Sequence, residues 1–117
     1  MTAHIETVAP VFPVSDLTAA LDHYGALGFA VEQHSETYGY AVRGGATLHL
    51  ALVSGPEPFR SNSVAYLLVS DAEALAEEWR RIDGGEVTDP TSTDYGAIEG
   101  SYTDPDGNLL RFGSPTD

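Results

Sequence analysis

The apolar positions fall into blocks of two periods. Residues 5–14 and 63–69 are short apolar, strand-like runs, and each leads into a stretch with helical spacing. In the second such stretch Ala72, Leu75, Ala76, Trp79 and Ile82 share one face, while Glu73, Glu77, Glu78 and Arg81 take the other. Ser70 with Glu73 three positions on fits a capping box, Asp71 is a competing cap, and Gly84-Gly85 ends the helix. The first helix, over residues 18–26, carries Ala20, Leu21, Tyr24 and Leu27 on one face, with Gly28 at its exit. Gly25 weakens it. Strands are predicted over 29–35, 38–43 and 47–53 after the first helix, and over 86–88, 97–103 and 108–113 after the second. Gly44-Gly45 suits a tight turn with positive φ at both central positions. Asp104-Pro105-Asp106-Gly107 is a strong turn signal. Residues 55–62 read as a linker.

The two halves repeat. Val14-Ser15-Asp16-Leu17 recurs as Val69-Ser70-Asp71-Ala72, 55 positions later, and the order strand-helix-strand-strand-strand recurs with it. The expected organisation is one domain, 1–117, built from modules 1–54 and 63–117. Neither module alone covers both a helix and a sheet face comfortably, so the pair is expected to share a core and leave a concavity between curved sheets.

Composition narrows the function classes. At 117 residues the chain suits one domain with a core that needs no disulfide staples, and its 42% hydrophobic content is globular. Cysteine is absent, which removes thiolate metal sites and cysteine nucleophiles. Five arginines against 18 acidic residues leave a formal charge of −13. That charge repels nucleic acid and anionic membranes and favours a cationic partner, although a salt-adapted or merely soluble surface explains it equally well. The N-terminus lacks the basic start and apolar core of a signal peptide, and no apolar run reaches membrane-spanning length. A soluble, cytoplasmic protein is expected.

Three stretches carry a family resemblance. They are Ala9-Pro10-Val11-Phe12-Pro13-Val14-Ser15-Asp16-Leu17, Leu21-Asp22-His23-Tyr24-Gly25-Ala26-Leu27-Gly28-Phe29, and Thr103-Asp104-Pro105-Asp106-Gly107-Asn108-Leu109-Leu110-Arg111-Phe112. Together they resemble the vicinal oxygen chelate superfamily of glyoxalase I, ring-cleaving dioxygenases and fosfomycin and bleomycin resistance proteins. The third is similar to that family's DPDGN signature. The resemblance implies an α+β fold in which two tandem βαβββ modules form a curved mixed sheet around a central cavity.

It also implies where a metal would sit. Carried over by position, the four ligands of the metal-dependent members fall on Ala9, His49, Val64 and Arg111. Alanine and valine donate nothing, and arginine brings a positive charge without a lone pair. A divalent ion needs several oxygen or imidazole donors. No metal or other cofactor is therefore expected, although Glu99, His34 or Glu6 leaves room for an atypical site. The resemblance then leans toward the bleomycin-resistance-type binders, which sequester a drug without transforming it. In that subgroup the first strand is exchanged between two subunits around a proline, and Pro10 occupies that place. A homodimer with two crevices follows, with a metal-dependent glyoxalase- or dioxygenase-like enzyme as the alternative.

The candidate ligand-binding residues are Tyr38, Tyr40, His49, Phe59, Tyr66, Tyr95, Glu99 and Arg111. The tyrosines pair a flat apolar surface with a hydroxyl, which suits planar heteroaromatic ligands. His49 and Arg111 are expected to bracket an acceptor group, with Thr47 and Ala51 beside the first and Leu109 and Gly113 beside the second. Glu99, or Asp94, is expected to engage a cationic tail, and His49 with Glu99 is a conceivable acid–base pair. Asp104 and Asp106 are assigned to their turn, Asp16 and Asp71 to helix starts, and Phe12, Tyr24, Phe29 and Trp79 to packing. No nucleophile elbow, phosphate loop or His-Glu-x-x-His is present, so no catalytic residue is assigned.

Overall fold

A computed structural model describes residues 1–55 and 59–116; residues 56–58, inside the expected linker, lie outside the described residues. The elements run β1 (Val11–Val14), α1 (Leu17–Ala26), β2 (Ala30–Gln33), β3 (Tyr38–Arg43), β4 (Ala46–Leu52), β5 (Val64–Leu68), α2 (Ala72–Arg80), β6 (Glu86–Ser92), β7 (Ala97–Thr103) and β8 (Leu109–Pro115). They form two four-stranded mixed sheets of identical plan, β1-β4-β3-β2 and β5-β8-β7-β6. In each sheet one outer strand runs parallel to its neighbour, β1 to β4 and β5 to β8, and the other pairings are antiparallel. This is the α+β architecture of two tandem βαβββ modules that the resemblance implies.

Short acids start both helices. Asp16 accepts from the Ala19 amide at 3.0 Å and Asp71 from the Ala74 amide at 3.0 Å. Each satisfies an amide that the first turn leaves without a partner. At α2 the competing cap therefore wins over Ser70. Gly28 and Gly84 leave the helices at φ +96° and +106°, where a side chain would be strained.

Three sequence expectations change. The first strand is short: only Val11–Val14 is strand and pairs in register with β4, with Pro10 O still accepting from the His49 amide at 2.9 Å. β6 is longer than expected and contains Pro90, which is accommodated by a register shift between Thr88 and Thr91 on an outer strand. In the β3–β4 turn Gly44 alone has positive φ, at +56°.

One core serves both modules. Leu48, Leu50 and Ala41 from the first sheet and Tyr102, Leu110 and Phe112 from the second join the inner faces of α1 and α2 in a single buried cluster. The helices reach across at equivalent places, since Tyr24 and Trp79 are 55 positions apart like the rest of the repeat. The Trp79 indole N–H donates to Leu27 O at 3.0 Å, and its ring packs on Phe29, Tyr102 and Phe112. The Tyr24 hydroxyl donates to Asp104 Oδ2 at 2.8 Å. Arg43 adds a two-pronged pair with Glu78, at 2.6 and 3.0 Å.

The turn acids do more than close their turn. Asp104 Oδ1 accepts from the Asp106 and Asn108 amides, as expected of a turn acid, while Oδ2 takes the Tyr24 hydroxyl and the Asn108 amide group. Asn108 also donates to Pro13 O, and Ser15 donates to Asp106 Oδ1 at 2.6 Å. The signature turn thus fastens β8 to the β1–α1 corner. The resulting molecule is a slab of 47 × 44 × 24 Å with a radius of gyration of 15.0 Å. A compact domain of this length has roughly 13 Å.

Candidate functional site

Strand alternation sends one face of each sheet into the shared core and leaves the other open. On the first sheet the open face carries Tyr38, Tyr40, Val42, Thr47, His49 and Ala51, because Leu48 and Leu50 point inward. Register sets Tyr40 opposite both His49 and Glu32. The three rings of Tyr38, Tyr40 and His49 meet edge to face, with centroids 4.8 to 5.8 Å apart. Tyr38 Oη lies 2.8 Å from His49 Nδ1, which fixes the imidazole and turns Nε2 to the other side of the ring. His34, which the sequence offered only as a possible metal donor, lies tilted against Tyr40 with ring centroids 5.6 Å apart. A hollow of about 320 Å³ next to this cluster is walled by Ala30, Glu32, Tyr40, Val42 and Thr47.

The open face of the second sheet holds Tyr66, Glu99 and Arg111, with Tyr95 beside it. Register aligns Tyr66, Arg111, Ser101 and Thr88 in one row and Leu68, Gly113, Glu99 and Thr91 in the next. Tyr66 leans along its strand and crosses over Gly113, so that its hydroxyl donates to Glu99 Oε2 at 2.6 Å. A Cβ on Gly113 would land on that hydroxyl, so the crossing requires glycine there. Tyr95 donates to the other oxygen, Glu99 Oε1. Arg111 Nη2 stands 3.5 Å from Oε1, and its Cζ lies 5.6 Å from the Tyr66 ring centroid.

These contacts set the local electrostatics. The two phenolic hydrogen bonds, joined by the Arg111 charge, hold the Glu99 carboxyl below the usual range. The same hydrogen bonds push both phenols up. Glu99 is thus an ionised acceptor already occupied on both oxygens. Each Glu99 oxygen faces one donor of the protein and keeps a further lone pair.

His49 and Arg111 lie on different sheets, each within its own aromatic cluster, and they do not bracket one site within a chain. His49 and Glu99 are separated in the same way, so the acid–base pair is not formed. Phe59 is half-buried and belongs to neither cluster, and Asp94 is exposed with no side-chain partner among the described residues. Thr47 and Ala51 accompany His49, and Leu109 and Gly113 accompany Arg111, as alternation implies. A groove of about 900 Å³ between the modules is lined by Val8, Pro10, Thr47, Leu68 and Trp79; of the candidates, Tyr66 alone reaches it.

The four ligand positions of the metal-dependent members do not fit a divalent ion. Val64 is an exposed apolar residue, Arg111 is paired with Glu99, and His49 already uses Nδ1 on Tyr38. One imidazole nitrogen remains, which is too little to replace a hydration shell.

Between the modules, His23 Nε2 meets the Tyr102 hydroxyl at 2.7 Å. Burial lowers the His23 pKa, with Asp104 opposing, and burial pushes Tyr102 up to about 12. Sequence patterning had no signal for this pair, which are 79 positions apart.

The model of the Glyoxalase/Bleomycin resistance protein/Dioxygenase superfamily matches residues 3–112. The chain belongs to that superfamily. Among solved structures, a bleomycin resistance determinant encoded on the transposon Tn5 is similar at TM-score 0.83 and 21% identity, covering 95% of this chain and 98% of that one. A bleomycin-binding protein from bleomycin-producing Streptomyces verticillus, complexed with copper(II)-bleomycin, is similar at TM-score 0.80 and 24% identity, covering 99% and 100%. A glyoxalase-related enzyme from Clostridium phytofermentans follows at TM-score 0.78 and 20% identity, covering 97% of each chain. No curated protein matches in sequence. At these identities the superfamily and its fold carry over.

Proposed function

We propose that this superfamily member is a metal-independent binding protein that sequesters a small natural product with planar aromatic rings, with a bleomycin-type cationic glycopeptide antibiotic as the first candidate. The observation that carries this reading is the pair of aromatic clusters on open sheet faces, one around His49 and one around Glu99, beside a donor set that does not suit a metal. Tyrosine rings held in place by their own hydroxyl contacts offer flat surfaces at little entropic cost. The fold likeness to bleomycin-binding proteins supports the choice of first ligand. The charge of −13 draws a cationic molecule from a distance.

The binding unit in this reading is a homodimer. Val64, Leu68 and Tyr95 are exposed by 55, 90 and 67% on or beside the second open face, more apolar surface than a free face of this size favours. A second copy, related by a two-fold axis, would set the His49 face of one protomer against the Glu99 face of its partner and make two equal crevices. The segment before Pro10, with Ile5 and Val8 exposed, is the natural arm to exchange, and the outer strand β5 offers an unpaired edge for it.

Titration calorimetry with bleomycin A2, followed by mass spectrometry of the recovered drug, tests the reading. The expected result is saturable binding of one drug per protomer with the drug returned intact and with no change on chelator treatment. Chemically altered drug, or binding that requires a divalent ion and disappears in His49→Ala, would return the chain to the enzymes. Sedimentation equilibrium should give twice 12.4 kDa, and removal of residues 2–8 should shift it toward the monomer.

A further inference from the structure

Resting on the binding reading above, we propose that the Arg111 wall is an oxyanion subsite and that the ligand seats a planar carboxylate there. Three observations lead to it. First, the Arg111 guanidinium makes no hydrogen bond to any described residue; its contact with Glu99 is a charge contact at 3.5 Å, outside aligned hydrogen-bond geometry. Arg43, Arg80 and Arg81, by contrast, all donate to carboxylates. All five N–H groups of the Arg111 guanidinium remain for an outside acceptor. Second, the carboxylate nearest to it is already occupied. Glu99 accepts from both Tyr66 and Tyr95, so it balances the arginine charge without filling the guanidinium fork. Third, the neighbours complete a receptor. The Tyr66 ring lies under the guanidinium, and Ser101 and Thr88 continue the Arg111 row across the sheet with two hydroxyls.

A guanidinium presents parallel donors that match a carboxylate in two-pronged fashion, and a ring beneath it provides a surface for an aryl group attached to that carboxylate. The distances place Tyr66 in two roles, as a stacking surface and as the clamp on Glu99. Gly113 makes both possible by leaving room for the hydroxyl to cross β8. The net charge governs approach, whereas this wall governs contact. The ligand accordingly carries an acidic group at the end seated on β7–β8, whatever charge the rest of it bears; bleomycin A2, which has no free carboxylate, would leave this wall unused, so a carboxylate preference favours a different planar natural product over that first candidate.

Three planar probes separate the alternatives: 2-naphthoate, 2-naphthamide and 2-naphthylmethylammonium. Binding is followed by the Arg111 Nε–H resonance in 15N-labelled protein and by calorimetry. Naphthoate is expected to bind about tenfold more tightly than the amide and to move the Arg111 resonance. Arg111→Gln should abolish that preference, and Glu99→Gln should retain or strengthen it by freeing the guanidinium of its one charge partner among the described residues. Circular dichroism of each variant separates loss of the site from loss of the fold, and Gly113→Ala provides an independent disruption through Tyr66. Tighter binding of the ammonium probe, lost in Glu99→Gln, would overturn the proposal, as would equal binding of all three or no movement of the Arg111 signal. If bleomycin binds while the carboxylate preference is missing, the subsite alone is refuted; if neither is seen, the binding reading falls with it.

Discussion

Replacing Trp79 with phenylalanine probes the joint on which the whole slab depends. The indole N–H donates to Leu27 O at 3.0 Å, and its loss costs about 1 kcal/mol net. Leu27 O keeps a second donor, Arg43 Nη1 at 2.8 Å, so no buried acceptor is orphaned. Two ring carbons vanish from a site that is 1% exposed, for roughly 1.5 kcal/mol at ~0.8 kcal/mol per methylene-sized group, with a small cavity term added. The expected loss is about 2–3 kcal/mol, a sizeable part of the roughly 6–17 kcal/mol available to a chain of this length. Urea denaturation followed by far-ultraviolet circular dichroism measures it, since the substitution removes the sole tryptophan and its fluorescence. The midpoint should fall by roughly 1–2 M with the slope unchanged. A shift below about 0.5 M, or two separate transitions, would refute the claim that one core shared through Trp79 holds both modules.

Three further outcomes follow from the same contacts. Asp104→Asn sets an amide N–H₂ among the donors of Tyr24, Asp106 and Asn108, and should cost about 2–3 kcal/mol in the same denaturation assay. Stability should decline at both ends of the pH range. Tyr102 keeps its proton up to about 12 while the unfolded phenol loses it near 10, so stability is full below pH 10 and falls between 10 and 12, by at most about 2–3 kcal/mol. His23, held below its ordinary pKa by burial, resists a proton that the unfolded chain accepts near 6.5, so stability also falls as pH drops through that value. Thermal unfolding across pH 5 to 12 checks both arms, and a monotonic profile would contradict them. Gly113→Ala should leave the fold intact, displace Tyr66 from Glu99 and return that phenol toward its ordinary ionisation, visible in an ultraviolet pH titration.

Much of the architecture was legible because its determinants are local. The Asp caps, the glycine exits and the period of each helix face lie within a few residues of what they specify. β3 and β7 were bounded as predicted because alternation and flanking turns agree there. The first strand was overdrawn, since an apolar arm reads as a strand whether or not a partner lies beside it, and β6 was underdrawn because Pro90 reads as a breaker although an outer strand tolerates it. At the candidate site, alternation selected the right neighbours for His49 and Arg111 but could not tell that the two sit on separate faces. The Tyr66–Glu99 contact was invisible for a physical reason: it spans 33 positions and depends on the missing side chain of Gly113.

The Asp104 carboxylate has a consequence for any attempt to separate the two modules. Its partners come from both modules, with the Tyr24 hydroxyl as the one supplied by the first. An isolated second half would expose or strand that acid, and an isolated first half would lose the anchor that Asn108 gives Pro13. Cutting the chain between its modules therefore takes a partner away from each side of that network.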